Sequence, residues 1–472
     1  MLRALALLLA GGLAGCIFYL NPLCSDAIRN GEETDIDCGG SCGKCSLGRA
    51  CDSDADCDNG QCAGGTCEPL PCENGRRDGD ETDIDCGGGT CRKCAGARTC
   101  ARAGDCFSGQ CAGTCFSLET VSFAPAGSYH SGSKAYVLFG GDFNRDGRRD
   151  LASANELGSD ITVFLGVGDG SFTTVGARFP VGDYPTGGAV ADFNHDGIAD
   201  IVTANYHGDS VSILLGVGDG TFEPATHYPT VDAGETSNLA VGDLDGDGNV
   251  DVVATNPAGG SVTQFMGRID GTLGEAMTWG LSERAGPYSA AIGDFDADGH
   301  PDVAIADITE RLMWVRLGNG DGSLGAAVSY AIGGIPSFIV IARDVDLDGR
   351  LDLVSANRGS DDVSVLLGVG DGTFRLPIVS STGPGTGPYA IAVADFNLDG
   401  VPDVVTPNYV SSTASVLLGV GDGSYDAPID LGVTGELAYG VVADDFDADG
   451  KVDIAICHAL SNDVTVKSNT SR

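Results

Sequence analysis

The sequence predicts an all-β protein, a seven-bladed β-propeller preceded by two small disulfide-rich modules, and three observations carry that expectation. An acidic motif, Asp-x-[Asp/Asn]-x-Asp-Gly-x-x-Asp, occurs seven times, its first aspartates being Asp142, Asp192, Asp243, Asp294, Asp344, Asp395 and Asp445. The intervals are 50 or 51 residues throughout, so one structural unit is repeated. Sixteen of the 18 cysteines fall between Cys24 and Cys115, a density expected of a disulfide-stapled exported scaffold.

The chain opens Met1-Leu2-Arg3 and continues with an apolar run from Ala4 to Ala14. That run is too short to span a bilayer core of about 30 Å and suits the apolar region of a signal peptide. Leu13-Ala14-Gly15-Cys16 resembles the lipobox of bacterial lipoproteins. The resemblance implies a signal peptide over 1–15, acylation of Cys16, and a lipid-anchored linker over 16–23. It also implies export to the bacterial envelope, at the outer membrane or cell surface, with the membrane contacted only through the lipid on Cys16.

Residues 24–67 and 72–115 form two copies of one module. Cys24, 38, 42, 45, 51, 57, 62 and 67 recur as Cys72, 86, 91, 94, 100, 106, 111 and 115, and each copy contains Glu-Thr-Asp-Ile-Asp-Cys-Gly-Gly. These copies resemble cysteine-rich modules of exported bacterial proteins. Eight cysteines allow 105 pairings, among which the sequence does not choose. Cys42/Cys45 and Cys91/Cys94 have zinc-ligand spacing, but the modules lack histidine and an oxidising compartment favours disulfides. Asp52, Asp54, Asp56 and Asp58 mimic a cation loop that the second copy does not keep, and read as a solvated acidic face.

Residues 116–472 hold the seven repeats. In the sixth, Ala390-Ile-Ala-Val-Ala394 precedes the acidic loop, and Asp403-Val-Val-Thr406, Ala414-Ser-Val-Leu-Leu-Gly419 and the turn Gly421-Asp-Gly423 follow. Four short strands with turn chemistry between them make a propeller blade, and closing a ring removes most exposed sheet edges. The units resemble the FG-GAP or VCBS repeats of integrin α-subunit propellers and bacterial surface proteins. The seventh unit ends at Val464-Thr-Val-Lys467 without the glycine-rich turn, so it lacks a fourth strand. Phe116 to Phe123 resembles the Phe172 to Phe179 stretch and is expected to supply that strand, latching the ring.

In each acidic loop the side chains at positions 1, 3, 5 and 9 and the carbonyl at 7 can converge on one hard cation, with glycine at 6 permitting the bend. Oxygen-only ligands suit calcium, up to seven ions. The candidate ligands are Asp142, Asn144, Asp146 and Asp150; Asp192, Asn194, Asp196 and Asp200; Asp243, Asp245, Asp247 and Asp251; Asp294, Asp296, Asp298 and Asp302; Asp344, Asp346, Asp348 and Asp352; Asp395, Asn397, Asp399 and Asp403; and Asp445, Asp447, Asp449 and Asp453. At about 4 Å in water each carboxylate pair repels by about 1 kcal/mol, so three to six pairs cost about 3 to 6 kcal/mol per loop without the ion. Against a total stability of about 5 to 15 kcal/mol, the calcium-free propeller should be loosened.

By resemblance to integrins, the face opposite the loops carries the ligand. Six residues before each loop stand Tyr136, Thr186, Ser237, Tyr288, Phe338, Tyr389 and Tyr439; five residues beyond it stand Asn155, Asn205, Asn256, Asp307, Asn357, Asn408 and His458. Aromatics beside amides suit a sugar or peptide, making Tyr136, Tyr288, Phe338, Tyr389, Tyr439, Asn205, Asn357 and Asn408 possible ligand residues. The competing reading is that the aromatics wedge blades apart and the asparagines begin turns.

A net charge of −41 excludes nucleic acid and anionic lipid surfaces as direct partners. The six histidines are scattered and no hydrolase, zincin or nucleotide motif occurs, so no catalytic residue is assigned. Cys457 reads as a core thiol and His458 as a turn residue. The expected function is a monomeric, calcium-binding, surface-anchored module that binds an extracellular protein or glycan. The alternatives are a structural envelope component and a polysaccharide lyase on the same scaffold.

Overall fold

The computed structural model describes residues 121 to 472 apart from 231–233, 335–336 and 433–434, together with scattered positions between 49 and 118. The signal sequence, Cys16, Cys24 to Cys45, and Asp54, Asp56 and Asp58 lie outside the described residues. The chain divides into two compact units, Met1–Cys94 with Thr99–Asp105, and Ala95–Arg98 with Cys106–Arg472.

In the first unit a short hairpin pairs Gln61–Ala63 with Thr66–Glu68, setting Cys62 opposite Cys67. Disulfides join Cys51 to Cys62 and Cys86 to Cys94, and Cys106 to Cys115 in the second unit. Asp52 is exposed, as a solvated acid should be, whereas Asp105 is buried. Its carboxylate accepts the Ala101 and Arg102 N–H groups, which hold it below the ordinary carboxylate range.

The second unit carries seven antiparallel sheets that follow one another around a ring. The first consists of Ala135–Gly141, Asp150–Asn155, Asp160–Gly166 and an outer strand in two pieces, Phe172–Thr174 and Phe179–Pro180. In every blade the second strand, such as Asp150–Asn155 or Asp403–Asn408, is buried at all six residues. It lies between two neighbouring blades, so residues facing either way are buried, apolar ones such as Leu151, Ala152 and Ala154 beside the hydrogen-bonded Asp150, Ser153 and Asn155.

The cores lie between blades. Phe139, Phe143, Ile161 and Phe179 of blade one pack with Ile201, Leu214 and Phe222 of blade two. The glycine-rich turns of blades one, two, four and five lean on the acidic loop of the blade before them in the ring. Gly220 N–H donates to Phe143 O at 3.0 Å, Gly372 N–H to Phe295 O at 3.0 Å, and Gly170 N–H to Phe446 O at 3.2 Å. Gly220 has φ +84 and a Cβ there would sit 2.8 Å from Leu165 Cδ2, so glycine is required by backbone and space together.

The seventh blade contains Ala438–Asp444, Asp453–His458 and Asp463–Asn469, and its outer strand is Phe123–His130 from the other end of the unit. The ring is thus closed by the N-terminal segment, but the closing strand begins at Phe123, seven residues later than the expected Phe116 to Phe123. Phe123 pairs with Asn469 as Phe172 pairs with Gly166. Packing decides the register: the Phe123 ring meets Phe396 edge-on at 5.8 Å, matching Phe172 on Phe446 at 5.4 Å.

Acidic loops and the tyrosine mouth

Each acidic loop joins the first and second strands of its blade, so all seven stand on one face of the ring. The first loop shows the common geometry. Asp142 accepts the Asp146 N–H at 3.1 Å and the Gly147 N–H at 3.0 Å, Asn144 Oδ1 also accepts the Asp146 N–H at 3.0 Å, and Asp146 Oδ1 accepts the Arg148 N–H at 2.9 Å. The side chains at positions 1, 3 and 5 are thereby folded inward over the turn. The backbone enters the left-handed region twice, at Arg145 (φ 59) and Gly147 (φ 80). The first of these was not legible from the motif, because His195, Ala297, Leu347, Leu398 and Ala448 fill that position elsewhere.

The ninth residue does different work. Asp150 is fully buried, with Oδ2 accepting the Phe143 N–H at 2.9 Å and Oδ1 accepting the Gly166 N–H at 2.8 Å. The same two bonds recur at Asp200, Asp251, Asp302, Asp352, Asp403 and Asp453. This aspartate bolts the loop to the end of the third strand. Burial, opposed by those N–H donors and reinforced by the neighbouring loop carboxylates, raises the carboxyls: Asp200, Asp251, Asp302 and Asp453 to about 6, Asp352 to about 7 and Asp403 to about 8.

Carboxylate oxygens of Asp243, Asp245 and Asp251 lie within 4.8 Å of one another, as do those of Asp294, Asp296 and Asp302, of Asp344, Asp346 and Asp348, and of Asp445, Asp447 and Asp453. Three anionic oxygens at that spacing form a donor set for a hard divalent cation. Loops one, two and six have an amide oxygen, of Asn144, Asn194 and Asn397, at the third position. The donor chemistry of all seven loops therefore fits calcium.

At the opposite end of the inner strands, four of the aromatic residues converge. The Tyr136 hydroxyl is hydrogen-bonded to that of Tyr389, which meets the Tyr288 hydroxyl at 2.6 Å. The Tyr439 ring lies 4.2 Å from Tyr136 and 4.7 Å from Tyr389. Burial first, then the neighbouring tyrosines, drives the Tyr136 and Tyr389 hydroxyls well above their ordinary range, so the cluster is neutral. The non-aromatic members link blades: Thr186 Oγ1 donates to Ser237 O at 2.9 Å and Ser237 Oγ to Tyr288 O at 2.8 Å. The Phe338 side chain lies outside the described residues. Tyr136, Tyr389 and Tyr439 line a cavity of ≈ 260 Å³, whose apolar wall includes Val137, Ile339, Ile341 and Ile391.

Two cations flank the cluster, and sequence reasoning missed both. Lys134 pairs with Glu156 and lies 5.9 Å from the Tyr136 ring centre, and Arg358 stands 4.1 Å over Tyr409. Only their place in the ring identifies them, since neither belongs to the repeat pattern.

The asparagines are elsewhere. Asn205, Asn357 and Asn408 are fully buried, as are Asn155, Asn256, Asp307 and His458. Asn205 Nδ2 donates to Ser210 and Ser212 and its Oδ1 accepts from Thr203; Asn357 and Asn408 do the same with Asp362, Ser364 and Ser355, and with Thr413, Ser415 and Thr406. They pin the turn between second and third strands from inside the blade, which removes them from any ligand surface. Cys457 is buried with its thiol pushed up to about 12 by burial, and His458 Nδ1 lies 3.3 Å from Asp463.

The FG-GAP-like repeat family matches residues 142–203, 196–254, 243–305 and 344–406. Virginiamycin B lyase from Staphylococcus aureus is 9% identical, with 74% of this chain and 99% of that one covered at a TM-score of 0.52. The periplasmic gluconolactonase of Pseudomonas aeruginosa is 18% identical, with 66% and 97% covered at a TM-score of 0.51. An Agrocybe aegerita lectin that recognises non-reducing terminal N-acetylglucosamine is 20% identical, with 69% and 86% covered at a TM-score of 0.45. No curated protein matches the sequence. At such identities the likeness is one of fold.

Proposed function

On the premise of a seven-bladed propeller whose residues 142–305 and 344–406 match FG-GAP-like repeats, we propose that the chain is a calcium-pinned binding module for an extracellular protein or glycan, displayed through a lipid on Cys16 and not catalytic. The single observation that supports the calcium part is the inward folding of three oxygen donors in every loop, at one place on one face. Positions 1, 3 and 5 would hold the ion, with the ninth aspartate beside them. A bound ion would neutralise the crowded carboxylates and pin each hairpin to its blade.

The binding part is supported by the far face. The half-buried rings of Tyr136 and Tyr409, backed by the buried Tyr389 and Tyr439, lie close to the positive charges of Lys134 and Arg358 in a protein of net charge −41. That combination suits an acidic glycan or a peptide with aromatic and carboxylate groups. Fold likeness to a lyase and a lactonase assigns no reaction to this chain. The test is a glycan and peptide array probed in calcium, with Arg358→Ala and Tyr409→Ala as variants. Retained ligand that both variants lose by about tenfold supports the reading; release of cleaved product from a bound polymer would overturn it in favour of an enzyme.

A further inference from the structure

The seven loops share one backbone but not one environment. In six of them the fifth-position aspartate is exposed and the third-position residue half-buried; in the sixth, Asp399 and Asn397 are 3% and 5% exposed. Val401, at position 7, is fully buried, where other loops have exposed residues such as Arg148, His300 and Arg350. The glycine-rich turn of the same blade is covered too: Val420 is half-buried, whereas Val167, Val217 and Val369 are exposed.

The segment leading into the ring reaches this place. Leu118 N–H donates to Asn397 O at 2.9 Å, within the loop itself. Five residues on, the Phe123 ring begins the latch strand against Phe396, the loop's second residue. The partner strand converges there as well, since Asn469 Nδ2 donates to Phe396 O at 2.9 Å. Three contacts from the two ends of the propeller thus meet on one loop.

We propose that the sixth loop is a calcium-dependent clasp: an ion held by Asp395, Asn397, Asp399 and Asp403 fixes the backbone carbonyl that receives Leu118, and so holds the incoming segment and the latch strand closed. The clasp presupposes calcium in these loops, as read above. Loops one, three, four and seven receive a turn N–H of the adjoining blade, at Phe143, Leu244, Phe295 and Phe446, whereas the sixth receives the segment that leads into the ring, at Asn397. Because its ligands are covered, it is also the last of the seven to exchange its ion with solvent.

Hydrogen exchange on the full chain tests this, comparing Asp395→Asn/Asp399→Asn with the matched loop-two variant Asp192→Asn/Asp196→Asn, while calorimetry counts bound calcium. Each variant is expected to lose one ion. Amides at Leu118 and along Phe123–His130 should then exchange faster by about tenfold or more in the loop-six variant alone, because local opening there is no longer opposed. Equal exchange in the two variants, with one ion lost from each, overturns the clasp and leaves the calcium reading standing. No calcium bound by the unaltered chain overturns both.

Discussion

At the scale of the residue, one motif hides two kinds of aspartate. Asp196 is exposed at the loop surface, whereas Asp200 is buried and receives the N–H groups of Phe193 and Gly216. Asp200→Ala leaves two buried donors unpaired, at about 1–3 kcal/mol each, so it should lower calcium-free stability by about 2–6 kcal/mol, measured by denaturant unfolding. Asp196→Ala removes two of that loop's three carboxylate pairs, at about 1 kcal/mol each, so it should leave calcium-free stability unchanged or raised and appear as weaker calcium binding. A stability loss shared equally by both would contradict the division. The motif showed that an acid is needed at position 9 but not which donors it serves, because both partners are set by the third strand and by burial. The same holds for Asn205, Asn357 and Asn408: their spacing was visible and their inward orientation was not, since turn preference and ligand contact demand the same residue type.

Elements were legible to the degree that they repeat. Strand number, loop position and ring closure by the N-terminal segment follow from period and turn chemistry, whereas the latch register does not, because the spacing of Phe116 and Phe123 imitates that of Phe172 and Phe179. Only the contact of Phe123 with Phe396 separates the two alignments. Phe123→Ala, whose ring is half-buried against Phe396, should therefore cost about 1–3 kcal/mol, and Phe116→Ala, with Phe116 40% exposed, less than about 0.5 kcal/mol, read from thermal unfolding. The reverse order would restore the earlier register. In the cysteine modules, numbering each copy's cysteines from one to eight, the observed bridges join 5 to 7, 2 to 4 and 6 to 8. If both copies share them, non-reducing peptide mapping should return these three bridges in each copy, and a different partner for any of these six positions would contradict the shared pattern.

At the scale of the whole molecule, the propeller carries its charge problem in its loops, and the pH dependence should show it. The ninth-position carboxyls are raised in the folded state, to about 6 for Asp200, Asp251, Asp302 and Asp453 and to about 8 for Asp403, above an unfolded value of about 3.9. The folded chain therefore binds more protons than the unfolded chain between those values. Their contribution to stability is fully present below about pH 4 and is lost as pH rises through the folded values. The melting temperature of calcium-depleted protein should fall from about pH 4 toward pH 8, and saturating calcium should reverse that slope, because ion and proton compete for the same oxygens. A calcium-free melting temperature that rises over the range would contradict the electrostatic picture.

The most direct measurement is a calorimetric titration of calcium into the chelator-stripped chain, with thermal unfolding followed in parallel. Seven acidic loops folded around oxygen donors predict about seven ions bound and a large rise in melting temperature, since binding to the folded state alone at 100-fold excess over Kd adds about 2.7 kcal/mol per site. No uptake of heat-producing ions and an unchanged melting temperature would show that these carboxylates hold no metal, and the calcium-pinned propeller would have to be abandoned.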